Sequence, residues 1–236
     1  MDNIKFTIVT VCYNACLTIM DTIQSVLGQS YANYEYWIID GGSTDSTIDI
    51  LESINDKRVK YISESDKGIY DAMNKALSRA TGNYLLFLGA DDILFSSEIL
   101  QKVEKKLTDN TSVFYGNVIK LKTDTLYDGK FTKWDWGYKN ICHQAIFYPK
   151  SIYKKKIYNT EYKLVADWVY NLELLAESVS FRYIDEVVSV FNDIDGLSST
   201  KVDNQFLKYR RRLIVNAVGI LPYLWGILNK IFNKLI

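Results

Sequence analysis

Two adjacent carboxylates, Asp91-Asp92, come just after the apolar run Tyr84-Leu85-Leu86-Phe87-Leu88. A third, Asp40, directly follows Tyr36-Trp37-Ile38-Ile39 and opens the loop Gly41-Gly42-Ser43-Thr44-Asp45. If both runs are parallel strands, these carboxylates share the sheet edge at which open α/β folds bind ligands. Acids gathered there suit a divalent cation carrying phosphates, because the ion screens their repulsion and bridges to anionic oxygens. Further along, Asp66-Lys67 stands at the entrance to a helix, His143 is the single histidine, and Asp167 begins another helix. The set points to chemistry on a nucleotide.

The elements that must hold these residues follow from periodicity. Residues 6–13 are β-branched and aromatic, long enough for a buried strand, and 34–39, 59–63 and 84–88 read as further strands. Apolar residues recur at helical spacing over 17–27, again at Ile48, Leu51 and Ile54, and at Ile99, Leu100, Val103 and Leu107. The clearest helix covers 68–80, where Ile69, Ala72, Met73, Ala76, Leu77 and Ala80 form one stripe, and Gly82 breaks the chain before the fourth strand. This alternation predicts a mostly parallel sheet with helices on both faces. After residue 113 the pattern changes to short strand-like runs at 113–121 and 145–148, around the aromatic stretch Trp134-Asp135-Trp136-Gly137. A helix is expected at 166–176. No repeat or linker interrupts the chain.

Bulk properties narrow the class. An apolar share of 48% with 24% charge excludes disorder over these 236 residues. Zero net charge gives no global field toward nucleic acid, so no nucleic-acid partner is expected. Cys12, Cys16 and Cys142 show no metal-ligand spacing with His143, and an odd count without a framework suits a reducing compartment. No signal-peptide architecture opens the sequence, so a cytoplasmic protein is expected.

Five segments occur in order: Thr10-Val11-Cys12-Tyr13-Asn14, Ile39-Asp40-Gly41-Gly42-Ser43-Thr44-Asp45-Ser46-Thr47, Asp66-Lys67-Gly68-Ile69-Tyr70-Asp71-Ala72-Met73-Asn74-Lys75, Ala80-Thr81-Gly82 and Ala90-Asp91-Asp92. In that order the chain resembles the inverting family-two glycosyltransferases, in particular the small bacterial enzymes that build surface polysaccharides. His143-Gln144-Ala145-Ile146-Phe147-Tyr148 and Ala166-Asp167-Trp168 extend the resemblance more weakly into the second half. It implies a GT-A fold, a Rossmann-like three-layer α/β/α arrangement with a mostly parallel central sheet. A single domain would cover 1–212, with a nucleotide-sugar-binding half at 1–110 and an elaborated acceptor-side half at 111–212. The implied activity is metal-dependent transfer of a sugar, with inversion, from a nucleotide donor. UDP is the expected nucleotide, and the acceptor a hydroxyl of a glycan or lipid-linked glycan in the cell envelope. Mg²⁺ or Mn²⁺ would bridge the diphosphate.

By the same resemblance, donor contacts fall to Thr10, Tyr13, Asp40, Asp66, Lys67 and Asp91, and the metal to Asp92. Gly41 and Gly42 would let backbone approach the ligand. Asp167 would be the catalytic base, with Asp185, Asp193 and Asp195 as substitutes. His143 would contact acceptor, phosphate or metal, and the loop Asp195-Gly196-Leu197-Ser198-Ser199 would close over bound donor.

Read alone, the residues leave plainer alternatives open. Thr10 and Tyr13 could merely close a strand and pack. Ser43, Thr44 and Asp45 are good helix caps. The i, i+4 spacings of Lys67, Asp71 and Lys75 suit weak surface ion pairs. Asp91-Asp92 could be a solvated turn, Asp167 an acid favoured by a helix dipole, and His143 a structural residue. Among other functions, a sugar nucleotidyltransferase needs a Gly-rich basic loop after the first strand, which Asn14-Ala15-Cys16-Leu17 is not. A non-catalytic nucleotide-sugar-binding or scaffolding subunit is the second alternative, separable by an assay of transfer.

The last segment is apolar over 213–228 apart from Asn216, Gly219, Pro222 and Gly226. Lys208, Arg210, Arg211 and Arg212 precede it, and Lys230 and Lys234 follow. It falls short of the ~20 residues a bilayer span needs. The expectation is a helix over 213–236 with two open fates. It could lie in a membrane interface, making the protein peripheral on the cytoplasmic face, or dock on its own core or a second copy in a homo-oligomer.

Overall fold

The structure, a computed structural model, describes residues 4–127, 129–194 and 202–232. The first half runs β1 (Phe6–Cys12), α1 (Ile19–Leu27), β2 (Tyr34–Asp40), α2 (Thr47–Ser53), β3 (Val59–Ser63), α3 (Ile69–Arg79), β4 (Tyr84–Gly89), β5 (Ile93–Leu94) and α4 (Ile99–Glu104). The second runs β6 (Val113–Lys120), β7 (Thr125–Tyr127), β8 (Ile146–Pro149), α5 (Lys150–Tyr153), α6 (Ala166–Ala176), β9 (Phe181–Phe191), α7 (Asn204–Val218) and α8 (Ile220–Phe232).

One sheet carries both halves in the order β3-β2-β1-β4-β8-β6-β9-β5, with β7 added on β6. Strands β3, β2, β1 and β4 are parallel neighbours. β1, β2 and β4 are largely apolar because helices cover both faces, and every residue of β1 is buried, whereas the outer β3 is partly exposed. Alternate side chains feed two cores. Phe6, Ile8, Tyr36 and Leu86 pack with Ile19 and Ile23 of α1 and Leu100 of α4. Val9, Val11 and Phe87 pack on the other face with Met73 and Ala76 of α3 and Val169 and Leu172 of α6. This is the three-layer arrangement the alternation predicts.

Beyond β4 the sheet becomes mixed. β8 lies antiparallel to both β4 and β6, while β9 runs parallel to β6 with its register shifted around Asn117. The 11-residue β9, the longest strand described, is not among the expected elements. Its sequence alternates weakly and carries Arg182, Asp185 and Glu186, so periodicity does not expose it. Short β5 and β7 are likewise additions. The loop over residues 195–199 lies outside the described residues.

The apolar tail is two helices, where sequence suggests one beginning at 213. α7 starts earlier, where Asp203 accepts a hydrogen bond from the Phe206 N–H as a helix cap. It buries Phe206 and Ile214, with Phe206 against Trp168 of α6 at 4.8 Å. Gly219, at φ 93°, ends it in a conformation that favours glycine, and α8 follows. Among the described residues no helix is long and apolar enough to cross a membrane.

Candidate active site

Register places the strand ends side by side. Cys12 pairs with Asp40, Asp40 with Ser63, and Val11 with Gly89, so the C-terminal ends of four parallel strands form one edge. The two loops leaving β1 and β2 are tied together there. Asn14 Oδ1 accepts from Thr44 N–H, Ala15 N–H donates to Thr47 Oγ1, and Asp45 accepts from Cys16 N–H and Thr47 N–H. Asp45 lies one residue before the N-cap Ser46 of α2, turns the chain into that helix through Thr47 N–H, and also anchors the neighbouring loop.

Two expected donor contacts turn inward. Thr10 has no exposed surface; its hydroxyl is hydrogen-bonded to Tyr36 Oη at 2.8 Å, two residues below the edge that Cys12 forms. It closes the core, the plainer of the two roles the sequence leaves open for it. Asp40 is also fully buried. Its carboxylate accepts from the N–H groups of Gly42 and Ser43, the hydroxyls of Ser43 and Ser63, and the Cys12 thiol. These donors span most of the lone-pair directions of a carboxylate, so Asp40 organises the loop from within. Burial opposes its ionisation, but the hydrogen bonds from Ser43 and Ser63 outweigh it and hold the carboxyl below its usual range.

Tyr13, Asp66 and Lys67 do face outward. Tyr13 is 62% exposed just past the end of β1. Asp66 accepts from Gly68 N–H, and its carboxylate fills the space a side chain at Gly41 would need, 2.4 Å from that Cβ position. Gly41 therefore makes room for Asp66, not for a ligand. Lys67 is exposed, and its ammonium enters no ion pair among the described residues. Its backbone N–H caps onto Asp71, whereas Lys75 pairs with Glu64 at 3.3 Å, so the expected i, i+4 ladder does not form.

The acidic pair divides. Asp92 is 1% exposed and accepts from Gly89 N–H, Asn192 N–H and Gln144 Nε2, joining β4, the turn His143–Ala145 and the end of β9. Asp91 is the exposed member. Asp92, the expected metal position, is thus the inward member of the pair and Asp91 the outward one, an orientation that sequence does not give. Burial, with the Asp91 charge beside it, pushes the Asp92 carboxyl up to about 7.

Asp167 opens α6 with its side chain 14% exposed. Tyr70 Oη donates to its Oδ1 at 2.7 Å and Asn140 Nδ2 to its Oδ2 at 2.9 Å. Asn171 Nδ2 donates to Asn140 Oδ1, and Tyr148 Oη donates to Asn171, so the support continues into the core. His143 Nδ1 stands 3.9 Å from Asp167 Oδ2. Burial lowers the His143 pKa, opposed by the charges of Asp167 and Asp91, which puts all three residues in one electrostatic neighbourhood. Of the substitutes for Asp167, Asp185 accepts from Tyr183 Oη and Asp193 from Lys122 N–H; Asp195 lies outside the described residues.

Four contributors carry no role in the sequence reading. Tyr70 and Gln144 lie within the matched segments, Asn140 sits in an aperiodic loop, and Asn192 follows the unexpected β9. A cavity of about 370 Å³ opens beside Asp91, between α1, β5 and β9, lined by Asp21, Thr22 and Asn192 among others. Among the described residues no three His, Cys, Asp or Glu side chains gather as a metal cluster. Asp91 and Asp21 both line this cavity, and their carboxylate oxygens are of the type a hard cation takes together with phosphate and water.

Known proteins resemble this chain along much of its length. The family model described as Glycosyl transferase family 2 matches residues 7–177. A "PGL/p-HBAD biosynthesis glycosyltransferase" of Mycobacterium tuberculosis is 35% identical over 231 residues, 93% of this chain and 90% of that protein. The Escherichia coli "UDP-Glc:alpha-D-GlcNAc-diphosphoundecaprenol beta-1,3-glucosyltransferase WfgD" is 36% identical over 132 residues, 56% of this chain and 52% of its own length. S. aureus TarS in complex with UDP-GlcNAc superposes with a TM-score of 0.74 at 19% identity, covering 90% of this chain and 66% of that one. That likeness shows the GT-A fold.

Proposed function

The chain belongs to glycosyl transferase family 2, and from that premise we propose that it transfers a sugar, with inversion, from a UDP-sugar to a hydroxyl of a lipid-linked glycan. Glycosyltransferase activity in polysaccharide or glycolipid synthesis follows from the family and its relatives. The UDP donor and diphospholipid acceptor are proposed from the names of WfgD and the TarS complex.

The observation that carries the mechanism is the Asp167 carboxylate, held from two sides by Tyr70 and Asn140 next to His143. Asp167 takes the proton of the acceptor hydroxyl as that oxygen attacks the anomeric carbon. The bond from that carbon to the diphosphate oxygen breaks, and the nucleoside diphosphate leaves with the bonding pair. A single displacement from the opposite face inverts the centre, and no covalent enzyme intermediate forms. Tyr70 and Asn140 fix the direction of the carboxylate, which is the positional requirement of general-base catalysis. Lys67 reaches the diphosphate, Tyr13 lies against the base, and Asp66 accepts from the nucleoside. Asp91 is the residue that would hold Mg²⁺ or Mn²⁺, which when bound neutralises charge developing on the leaving diphosphate.

Release of UDP in the presence of a lipid-linked acceptor tests the reading. Asp167→Asn and Asp91→Ala should each abolish most transfer while the protein still melts cooperatively. Near-normal transfer in both variants would remove this mechanism, and donor binding without turnover in the wild type would favour the non-catalytic alternative.

A further inference from the structure

α8 wears its apolar stripe on the outside. Its inner side is Pro222 and Gly226, both buried. The helix sits so close to the 3₁₀ turn Asp135–Gly137 that a Cβ on Gly226 would stand 2.3 Å from the Gly137 carbonyl oxygen. Small residues seat it by backbone contact. Leu221, Leu224, Trp225, Leu228, Ile231 and Phe232 lie opposite, each between 47% and 62% exposed. Their spacing of i, i+3, i+4, i+7, i+10 and i+11 makes one continuous face. Trp134, 39% exposed, meets Trp225 edge-on at 6.3 Å and widens the patch. Contiguous apolar faces of this kind mark interaction sites.

Charge identifies what covers it. From Asn204 to Phe232 the chain has no Asp or Glu, but has Lys208, Arg210, Arg211, Arg212 and Lys230. Lys208, Arg211 and Arg212 are exposed on α7, and Lys133 lies 5.3 Å from the Trp134 ring. A second copy of this surface would bring like charges together. An anionic lipid surface supplies opposite charge and an apolar layer at once, and half-exposed tryptophans suit its boundary. The 13 residues of α8 reach about 20 Å, short of the ~30 Å hydrocarbon core, so the helix lies on the bilayer and does not cross it. We propose that α8 and the basic surface of α7 seat the protein on an anionic membrane, with α8 parallel to the membrane plane. The proposal stands apart from the transferase reading, because its test needs no donor or acceptor.

The test is co-sedimentation of the full chain with vesicles of phosphatidylcholine alone or mixed with phosphatidylglycerol, followed across salt concentrations. Binding is expected only to the anionic vesicles and should weaken as salt rises. Leu224→Asp with Leu228→Asp, and separately Arg211→Glu with Arg212→Glu, should each weaken it roughly tenfold or more without lowering the melting temperature. These positions are exposed, so both pairs leave the core intact, and the arginine pair checks the apolar pair. Absence of wild-type binding, or binding undiminished in both variants, overturns the proposal. So does a concentration-dependent dimer in light scattering that the leucine variants dissolve while vesicles remain unbound, which would assign the face to self-association.

Discussion

Glu35 and Asp92 are carboxylates at opposite ends of the parallel sheet, 5% and 1% exposed, and the protein treats them in opposite ways. Glu35 sits near the start of β2, where Thr7 Oγ1 and the N–H and Oγ1 of Thr81 donate to it, with Lys5 and Lys60 ammonium groups at 3.2 and 3.6 Å. Burial opposes its ionisation, but the hydrogen bonds from Thr7 and Thr81 prevail and hold it at about 2. Asp92 has three neutral donors and an acid, Asp91, beside it; burial and that charge push it up to about 7. Both groups are hydrogen-bonded, but burial prevails at Asp92, with the Asp91 charge adding to it, whereas at Glu35 the hydrogen bonds outweigh burial. One edge holds its carboxylate ionised, and the other raises a buried acid beside a second acid where a ligand edge lies, the pattern by which perturbed groups mark functional sites.

If the two edges divide structure from function, their carboxylates should fail differently. The largest effect is expected from Asp167→Asn, lowering kcat by about 10²–10⁴-fold, the usual contribution of a positioned base. Its amide keeps an oxygen for Asn140, and the Tyr70 hydroxyl can turn to accept, so urea unfolding should shift by less than about 1 kcal/mol. Glu35→Ala should do the reverse. It leaves the Thr7 hydroxyl and the Thr81 N–H without their acceptor and removes the partner of two exposed lysines, at a cost of about 3 kcal/mol of unfolding free energy, with kcat unchanged well below the melting temperature. If Glu35→Ala removed activity and spared stability, the division would be broken.

The pH dependence of stability sharpens the same contrast. Glu35 is lowered from 4.5 to about 2. Its stabilising contribution is therefore complete above pH about 4.5 and lost as pH falls toward 2. Asp92 is raised from 3.8 to about 7, so its contribution is complete below about 3.8 and lost as pH rises through 7. Urea titrations across this range, in a chelator to keep metal away, should show both limbs, each on the order of 2 kcal/mol. Glu35→Gln should flatten only the acid limb and Asp92→Asn only the neutral one. An unchanged neutral limb in Asp92→Asn would show that the Asp91 charge is screened and that the two edges are not opposites.

How much of this was legible depends on the kind of information each residue carries. Strands β1 to β4 are β-branched and aromatic runs and helix α3 is strongly periodic, and the sequence reading places them within a residue or two. Strand β9 is hidden because Arg182, Asp185 and Glu186 interrupt its alternation, and it forms only because β6 offers a partner distant in sequence. Residue types named the acidic cluster but not its orientation: Asp40, Thr10 and Asp92 look inward, while Asp91 looks out. Asn140 carried no signal at all, since its place against Asp167 comes from a loop that packs through Trp136 and Phe131 and not from any repeat.

The smallest expected effect bears on how Asp167 is held. Tyr70 is buried in the first turn of α3, directly after the Asp66-Lys67 segment, so a single short stretch supplies both an exposed edge and a support for the base. Burial, then the Asp167 charge, raises the Tyr70 hydroxyl well above its usual pKa, which keeps it a proton donor throughout the working range. Tyr70→Phe removes that one hydrogen bond and leaves Asn140 in place. The ring retains its packing against Tyr158, 5.6 Å away, so unfolding should change by about 1 kcal/mol or less. Freed on one side, the carboxylate samples directions that miss the acceptor, and kcat should fall by about threefold to tenfold with the donor KM unchanged. Asn140→Ala should do the same, and the double variant should lose more than the sum of the two barriers, because either support alone still limits rotation. Simple additivity between them would mean that Tyr70 and Asn140 serve the fold, and the site edge would then be held no differently from the edge at Glu35.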